Sequence, residues 1–226
     1  MSYNPKMFMN RSIKALQGAR IRLKSTAVSQ VNHVVSPATQ SAIDLELKCA
    51  AHNYGPIPVV LERAKGIYMW DVDGKKYFDF LSAYSAVNQG HGHPKIIAAL
   101  QEQIQKVTLT SRAFHNDQLG PYSELVTKTM GYDKVLPMNT GVETGETAVK
   151  LARRWGYRKK GIAPNQAKVV FANNNFWGRT MAAVSSSTDP TSYTDFGPYM
   201  PGFEMIPYND LAAVKDIFER EGENIA

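Results

Sequence analysis

Apolar residues recur at two different spacings along the chain, and the alternation between them predicts its elements. Ile97, Leu100 and Ile104 lie three and four apart, which makes one stripe of a helix; Pro94 suits its first position and His93 its cap. Residues 59–81 alternate apolar and polar, as VVLERAKG and IYMWDVDGKKYFDFLS, with Asp73-Gly74 as the turn of an antiparallel meander. Val72 and Phe78 are expected to pin that meander to a core. Shorter helical patterns cover 42–51, a stretch opened by Pro121, and 211–221. KVVFA at 168–172 is a continuous β-branched and aromatic run, the pattern of a buried parallel strand.

Residues 134–161 carry the strongest local signal. They predict a short strand, a polar turn and one long helix with Ala148, Leu151, Ala152 and Trp155 at helical spacing and Lys150, Arg153 and Arg154 in water. Thr140 and Glu143 form a capping box, which starts the helix near Gly141, and Gly161 stops it. Strand, turn, helix and strand is the rhythm of an α/β sheet, whose ligands gather at the carboxyl ends of the strands. Gly141 and Phe176 both fall at such ends. Residues 185–208, rich in Ser, Pro and Gly, predict a long packed loop, and 224–226 the start of another strand.

The chemistry begins at Gly141. A helix N-terminus offers unpaired amides and a partial positive charge, so a phosphate fits there, and a glycine lets its oxygen approach the backbone. An ordinary capped α/β turn accounts for the same residues. The P-loop lysine and hydroxyl are missing and Gly141 and Gly145 do not complete G-x-G-x-x-G, which argues against nucleotide triphosphates and NAD. His91-Gly92-His93 has no carboxylate or thiolate at ligand spacing, so these histidines are read as bonded to backbone and no metal is expected.

Charge changes the picture only at one end. The net charge is +6, but six of the 26 basic residues precede Asp44, where there is no acid, and the remaining 20 face 20 acids. The globular part is neutral, so nucleic acid is not an expected partner. Met9, Ile13 and Leu16 oppose Arg11, Lys14 and Arg22 on a helical wheel, the composition of a mitochondrial transit peptide or of a charged tail with no address. No apolar run approaches a membrane span. The single cysteine, Cys49, excludes an internal disulfide framework and suits a reducing compartment.

Three runs together, PMNTGVETGETAVKLAR (137–153), NNNFWGRT (173–180) and SAYSAVNQGHGHP (82–94), resemble the ornithine aminotransferase family of class-III pyridoxal-phosphate aminotransferases, from about Leu45 to the last residue. The resemblance implies an α/β protein of PLP-transferase fold type I: a leader over 1–35, an N-terminal meander and helix segment of the small domain over 36–108, and the first part of the large, mostly parallel sheet domain over 109–226. It implies pyridoxal 5'-phosphate bound by Thr140, Gly141, Val142 and Phe176, the last stacked on the ring. It implies substrate contacts at Tyr54, Tyr84 and Arg179, with Arg179 on a carboxylate. The implied reaction moves the δ-amino group of L-ornithine to 2-oxoglutarate, giving L-glutamate 5-semialdehyde and L-glutamate, in a homo-oligomer of the mitochondrial matrix.

The family's lysine that links to the cofactor, and the carboxylate beside the pyridinium nitrogen, lie past the position of Ala226. No lysine here stands in the matching motif, so no catalytic residue is assigned. The expectation is a truncated chain, inactive alone. Two alternatives stay open: a non-catalytic module that pairs with a full subunit, and a class-III enzyme for acetylornithine or 4-aminobutyrate, which Tyr54 and Tyr84 disfavour.

Overall fold

The computed structural model describes residues 35–226, so the leader read over 1–35 lies, but for Val35, outside the described residues. The chain divides after Leu109 into two compact units.

The first unit opens with α1 (Pro37–Cys49). It starts earlier than the expected 42–51 because Ser36 caps it, accepting from Thr39 N at 3.1 Å, and Pro37 takes the first helical position. Asp73 accepts from Ser36 Oγ at 2.6 Å and Thr39 Oγ1 at 2.8 Å, which fastens α1 to the meander's turn. Cys49 ends this helix with its thiol exposed.

Strands β1 (Leu61–Lys65), β2 (Tyr68–Asp71) and β3 (Lys76–Phe78) form the antiparallel meander, with Arg63 opposite Trp70 and Met69 opposite Tyr77. Asp71 organises its turn. Its buried carboxylate accepts from Tyr77 Oη at 2.7 Å and from the amides of Lys75 and Asp73 at 2.8 and 3.0 Å. Those bonds, the Tyr77 hydroxyl first, hold Asp71 below the usual carboxylate range and push Tyr77 up. The anchoring role expected of Phe78 is not met within this unit. Its ring is 59% exposed and lies against the rings of Tyr68 and Phe80, at 5.0 and 6.0 Å.

After β3 comes a single helical turn, α2 (Ser82–Ser85), of the opposite hand. All four φ values are positive, from 47° to 73°. None of the four is glycine, and each L-residue in this conformation costs about 1–2 kcal/mol. Then α3 (Pro94–Ile104) begins at Pro94 as expected, although His93 at its cap position makes no side-chain capping bond.

In the second unit α4 (Leu119–Met130) starts two residues before Pro121, because Asn116 Oδ1 already receives the amides of Gln118 and Leu119. Helix α5 (Gly141–Trp155) runs into a π-turn (Gly156–Lys160) that ends at left-handed Gly161. Its inward face differs from the expected one. Val149 and Gly156 are buried and Ala152 half-buried, while Leu151 and Trp155 are exposed. Nor does Arg153 face water: it donates to Pro201 O at 2.7 Å and lies 5.1 Å over the Phe203 ring.

The expected strand at 134–138 forms no ladder among the described residues, and Pro137 has no amide to give one. β4 (Val169–Ala172) pairs in parallel with β5 (Phe203–Ile206), Val169 opposite Phe203 and Ala172 opposite Ile206. On its other edge Lys168 N donates to Asn224 O and Ala226 N to Lys168 O, so the chain does become extended at 224–226. The expected loop at 185–208 therefore ends in a strand, and it carries α7 (Pro190–Tyr193) after α6 (Met181–Ser185). Helix α8 (Leu211–Glu221) follows β5, and among the described residues the buried apolar core of the unit is Val149, Ile162, Ala167, Ala182, Ala183, Val184, Ile217 and Ile225.

Candidate cofactor and substrate site

The start of α5 is built as its residues predict. Thr140 is extended (φ −133°, ψ 159°), its hydroxyl accepts from Glu143 N at 3.3 Å, and Glu143 Oε2 accepts from Thr140 N at 2.9 Å. The same carboxylate takes Asn139 N at 2.8 Å. These amides hold Glu143 below the usual glutamate range, Thr140 foremost, and turn its charge back toward the preceding loop. A helix leaves four N-terminal amides without internal partners. The capping box uses those of Thr140 and Glu143; among the described residues, the amides of Gly141 and Val142 have no acceptor. A Cβ placed on Gly141 would meet nothing within 4 Å, so packing does not explain the glycine. Open space in front of two free amides at the positive end of a 15-residue helix suits a phosphate.

The second wall comes from the loop after β4. Asn175 Nδ2 donates to the carbonyls of Ala172 and Ser186, both at 2.8 Å, and Trp177 Nε1 donates to the fully buried Ser186 Oγ at 2.8 Å. Trp177 also stacks on Phe171, with centroids 5.6 Å apart and planes 10° apart. Phe176 sits between two residues held inward and is turned out, 68% exposed. This loop lies directly on α5. A Cβ at Gly145 would collide with the Trp177 ring, and one at Gly178, whose φ is +150°, would collide with Val142. Gly178 thus seats the Phe176 turn against the Val142 side chain in the first turn of α5. Arg179 is exposed just before Thr180, the α6 cap.

Thr140, Gly141, Val142, Phe176 and Arg179 accordingly belong to one end of the second unit. Tyr54 and Tyr84 belong to the first unit, 64% and 83% exposed. Trp177, Ser186, Asn175 and Gly178 are supports that the sequence reading missed; Gly178 beside the aromatic pair was the available signal. His91 differs in part from the expected backbone-bonded histidine: its main chain bridges to Gly66, but its ring bonds the Asp79 carboxylate at 2.6 Å.

The Aminotransferase class-III family matches residues 49–226. Rat mitochondrial ornithine aminotransferase is 67% identical over 179 residues, which cover 79% of this chain and 41% of that protein. The crystal structure of the ornithine aminotransferase from Toxoplasma gondii superposes with a TM-score of 0.81 at 45% identity, over 83% of this chain and 44% of that one. The acetylornithine aminotransferase from Elizabethkingia anophelis gives 0.70 at 52% identity, over 83% and 43%. The chain spans less than half the length of these relatives.

Proposed function

Since the chain belongs to the class-III aminotransferase family, we propose that it is the phosphate-binding and substrate-binding portion of an ornithine aminotransferase that uses pyridoxal 5'-phosphate. The observation that carries this reading is the pair of free amides at Gly141 and Val142 beside the turn that carries the outward Phe176. The group fits the residues present: the amides and the helix's positive end hold its phosphate, and Phe176 offers a ring face to stack upon. When bound, the cofactor supplies the electron sink that transamination needs. Arg179 offers a planar guanidinium to a substrate carboxylate. Tyr54 and Tyr84, exposed on the first unit, are the substrate contacts that the resemblance implies.

The overall reaction is transfer of the δ-amino group from L-ornithine to 2-oxoglutarate, giving L-glutamate 5-semialdehyde and L-glutamate. No lysine in these 226 residues stands in the family's cofactor-linking motif. On this reading these 226 residues bind the cofactor but do not turn over by themselves, and at most they pair with a full-length subunit. The name of the rat relative and the basic, acid-free first 43 residues support a mitochondrial address.

Acetylornithine is the rival donor, favoured by the 52% identity to the Elizabethkingia anophelis enzyme. Borohydride reduction with pyridoxal phosphate, followed by mass spectrometry and a semialdehyde assay, tests the inactivity, and equilibrium binding of ornithine against N-acetylornithine to the chain with pyridoxal phosphate tests the donor. The expected result is no single-site adduct, no turnover by the chain alone and tighter binding of ornithine. A specific adduct with turnover refutes the inactivity, and tighter binding of N-acetylornithine refutes the donor.

A further inference from the structure

Tyr84 sits in the longest run of left-handed backbone among the described residues. Ser82, Ala83, Tyr84 and Ser85 have φ of 48°, 47°, 56° and 73°, a left-handed turn of residues that all carry a Cβ. Such a conformation persists only where its surroundings hold it, and the structure shows what does.

Asp79 Oδ1 accepts from Leu81 N at 3.0 Å and Ser82 N at 2.8 Å, which caps the entry to the turn. Asp79 Oδ2 is bonded to His91 Nε2 at 2.6 Å, with the Asp79 side chain only 5% exposed. Both partners are fixed to the turn between β1 and β2. Asp79 N donates to Ile67 O at 2.8 Å, and His91 exchanges two backbone bonds with Gly66, at 2.8 and 2.9 Å. Gly90 packs flat on Gly66, where a Cβ would come within 3.2 Å of its Cα. The loop 80–90 is therefore closed at its base by a side-chain rung, and inside it Val87 N donates back to Ser82 O at 3.0 Å.

We propose that Asp79 and His91 are positioning residues: their bond closes the 79–91 loop, opposes the left-handed strain and sets how Tyr84 is presented. The consequence for substrate choice rests on the reading of Tyr84 as an ornithine contact; the clamp itself does not.

The test is amide hydrogen exchange on the full 226-residue chain, comparing peptides over 81–87 with peptides over β4 and β5. His91→Ala should speed exchange at 81–87 by about tenfold or more, the factor lost with one charge-assisted hydrogen bond, and leave β4 and β5 unchanged. Ala83→Gly, which removes the Cβ at a left-handed position, should recover much of that protection in the His91→Ala background. If His91→Ala unfolds the unit, Asp79→Asn and His91→Gln carry the comparison, with smaller accelerations expected. Unchanged exchange at 81–87, or an acceleration that Ala83→Gly does not reduce, overturns the clamp.

Ornithine with pyridoxal phosphate then reads the other half. It should slow exchange at 81–87 in the wild type, lose that effect in His91→Ala and regain part of it with Ala83→Gly. Exchange that responds to the clamp variants but never to ornithine leaves the clamp standing and removes the substrate role of Tyr84.

Discussion

Replacing Gly178 by alanine separates the two ways in which that residue holds the site together. The new Cβ would overlap the Val142 side chain, and the backbone would carry φ = +150° with a side chain attached. Overpacking of this kind costs about 1–3 kcal/mol and the backbone conformation about 1–3 kcal/mol more. The expected loss of about 2–6 kcal/mol corresponds to a fall in Tm of roughly 8 °C or more for a unit of this size. Relief of the overlap would push the Phe176 turn off α5, so pyridoxal phosphate affinity should fall as well. Val142→Ala removes the nearest clash, at Cγ2, but leaves the Val142 Cβ 2.6 Å from the new methyl and the backbone cost in full, so Gly178→Ala in that background should regain only part of the loss. Calorimetry and a fluorescence titration with pyridoxal phosphate measure both quantities. If Gly178→Ala leaves Tm and affinity unchanged, the packing of the Phe176 turn on α5 does not build the site.

Two further outcomes follow from the same geometry. Phe176→Ala should weaken pyridoxal phosphate binding by about three- to tenfold, the worth of one ring contact, without moving Tm, because the side chain is 68% exposed; titration and calorimetry on one preparation read both. Asp71, Asp79 and Glu143 all have folded pKa values below their unfolded ones, so their stabilisation is present above about pH 4 and is lost as pH falls through the lower folded values. Tm should therefore decline below about pH 5, and Asp71→Asn should flatten that decline; an equal slope in the variant would exclude Asp71 from it.

What could be read from the chain was what its neighbours in sequence decide. Thr140 and Glu143 are three residues apart, so the cap of α5 and the amides it leaves free were legible, as was the meander around Asp73-Gly74. Partners distant in sequence were not. β5 pairs with β4 more than 30 residues away, and the turn residues Pro201, Gly202 and Pro207 around it disguised a four-residue strand. The inward face of α5 was misjudged because Trp177, which covers Gly145, arrives from another element. The left-handed turn before Val87 had no signal at all, since Ser-Ala-Tyr-Ser contains neither glycine nor asparagine and its conformation is imposed by Asp79 and His91. Phe176 was found as an aromatic near a strand end, but its outward direction depends on Asn175 and Trp177 being drawn inward to Ser186.

The most direct test follows the two free amides themselves. In an amide NMR titration of the chain, pyridoxal phosphate should shift the resonances of Gly141 and Val142, with Thr140 and Glu143 moving less because their amides are already bonded. Inorganic phosphate should compete, and pyridoxal without its phosphate should leave Gly141 and Val142 in place. Shifts confined to scattered lysines, equal for pyridoxal and its phosphate and insensitive to competing phosphate, would contradict the assignment of the α5 N-terminus as the cofactor's phosphate site.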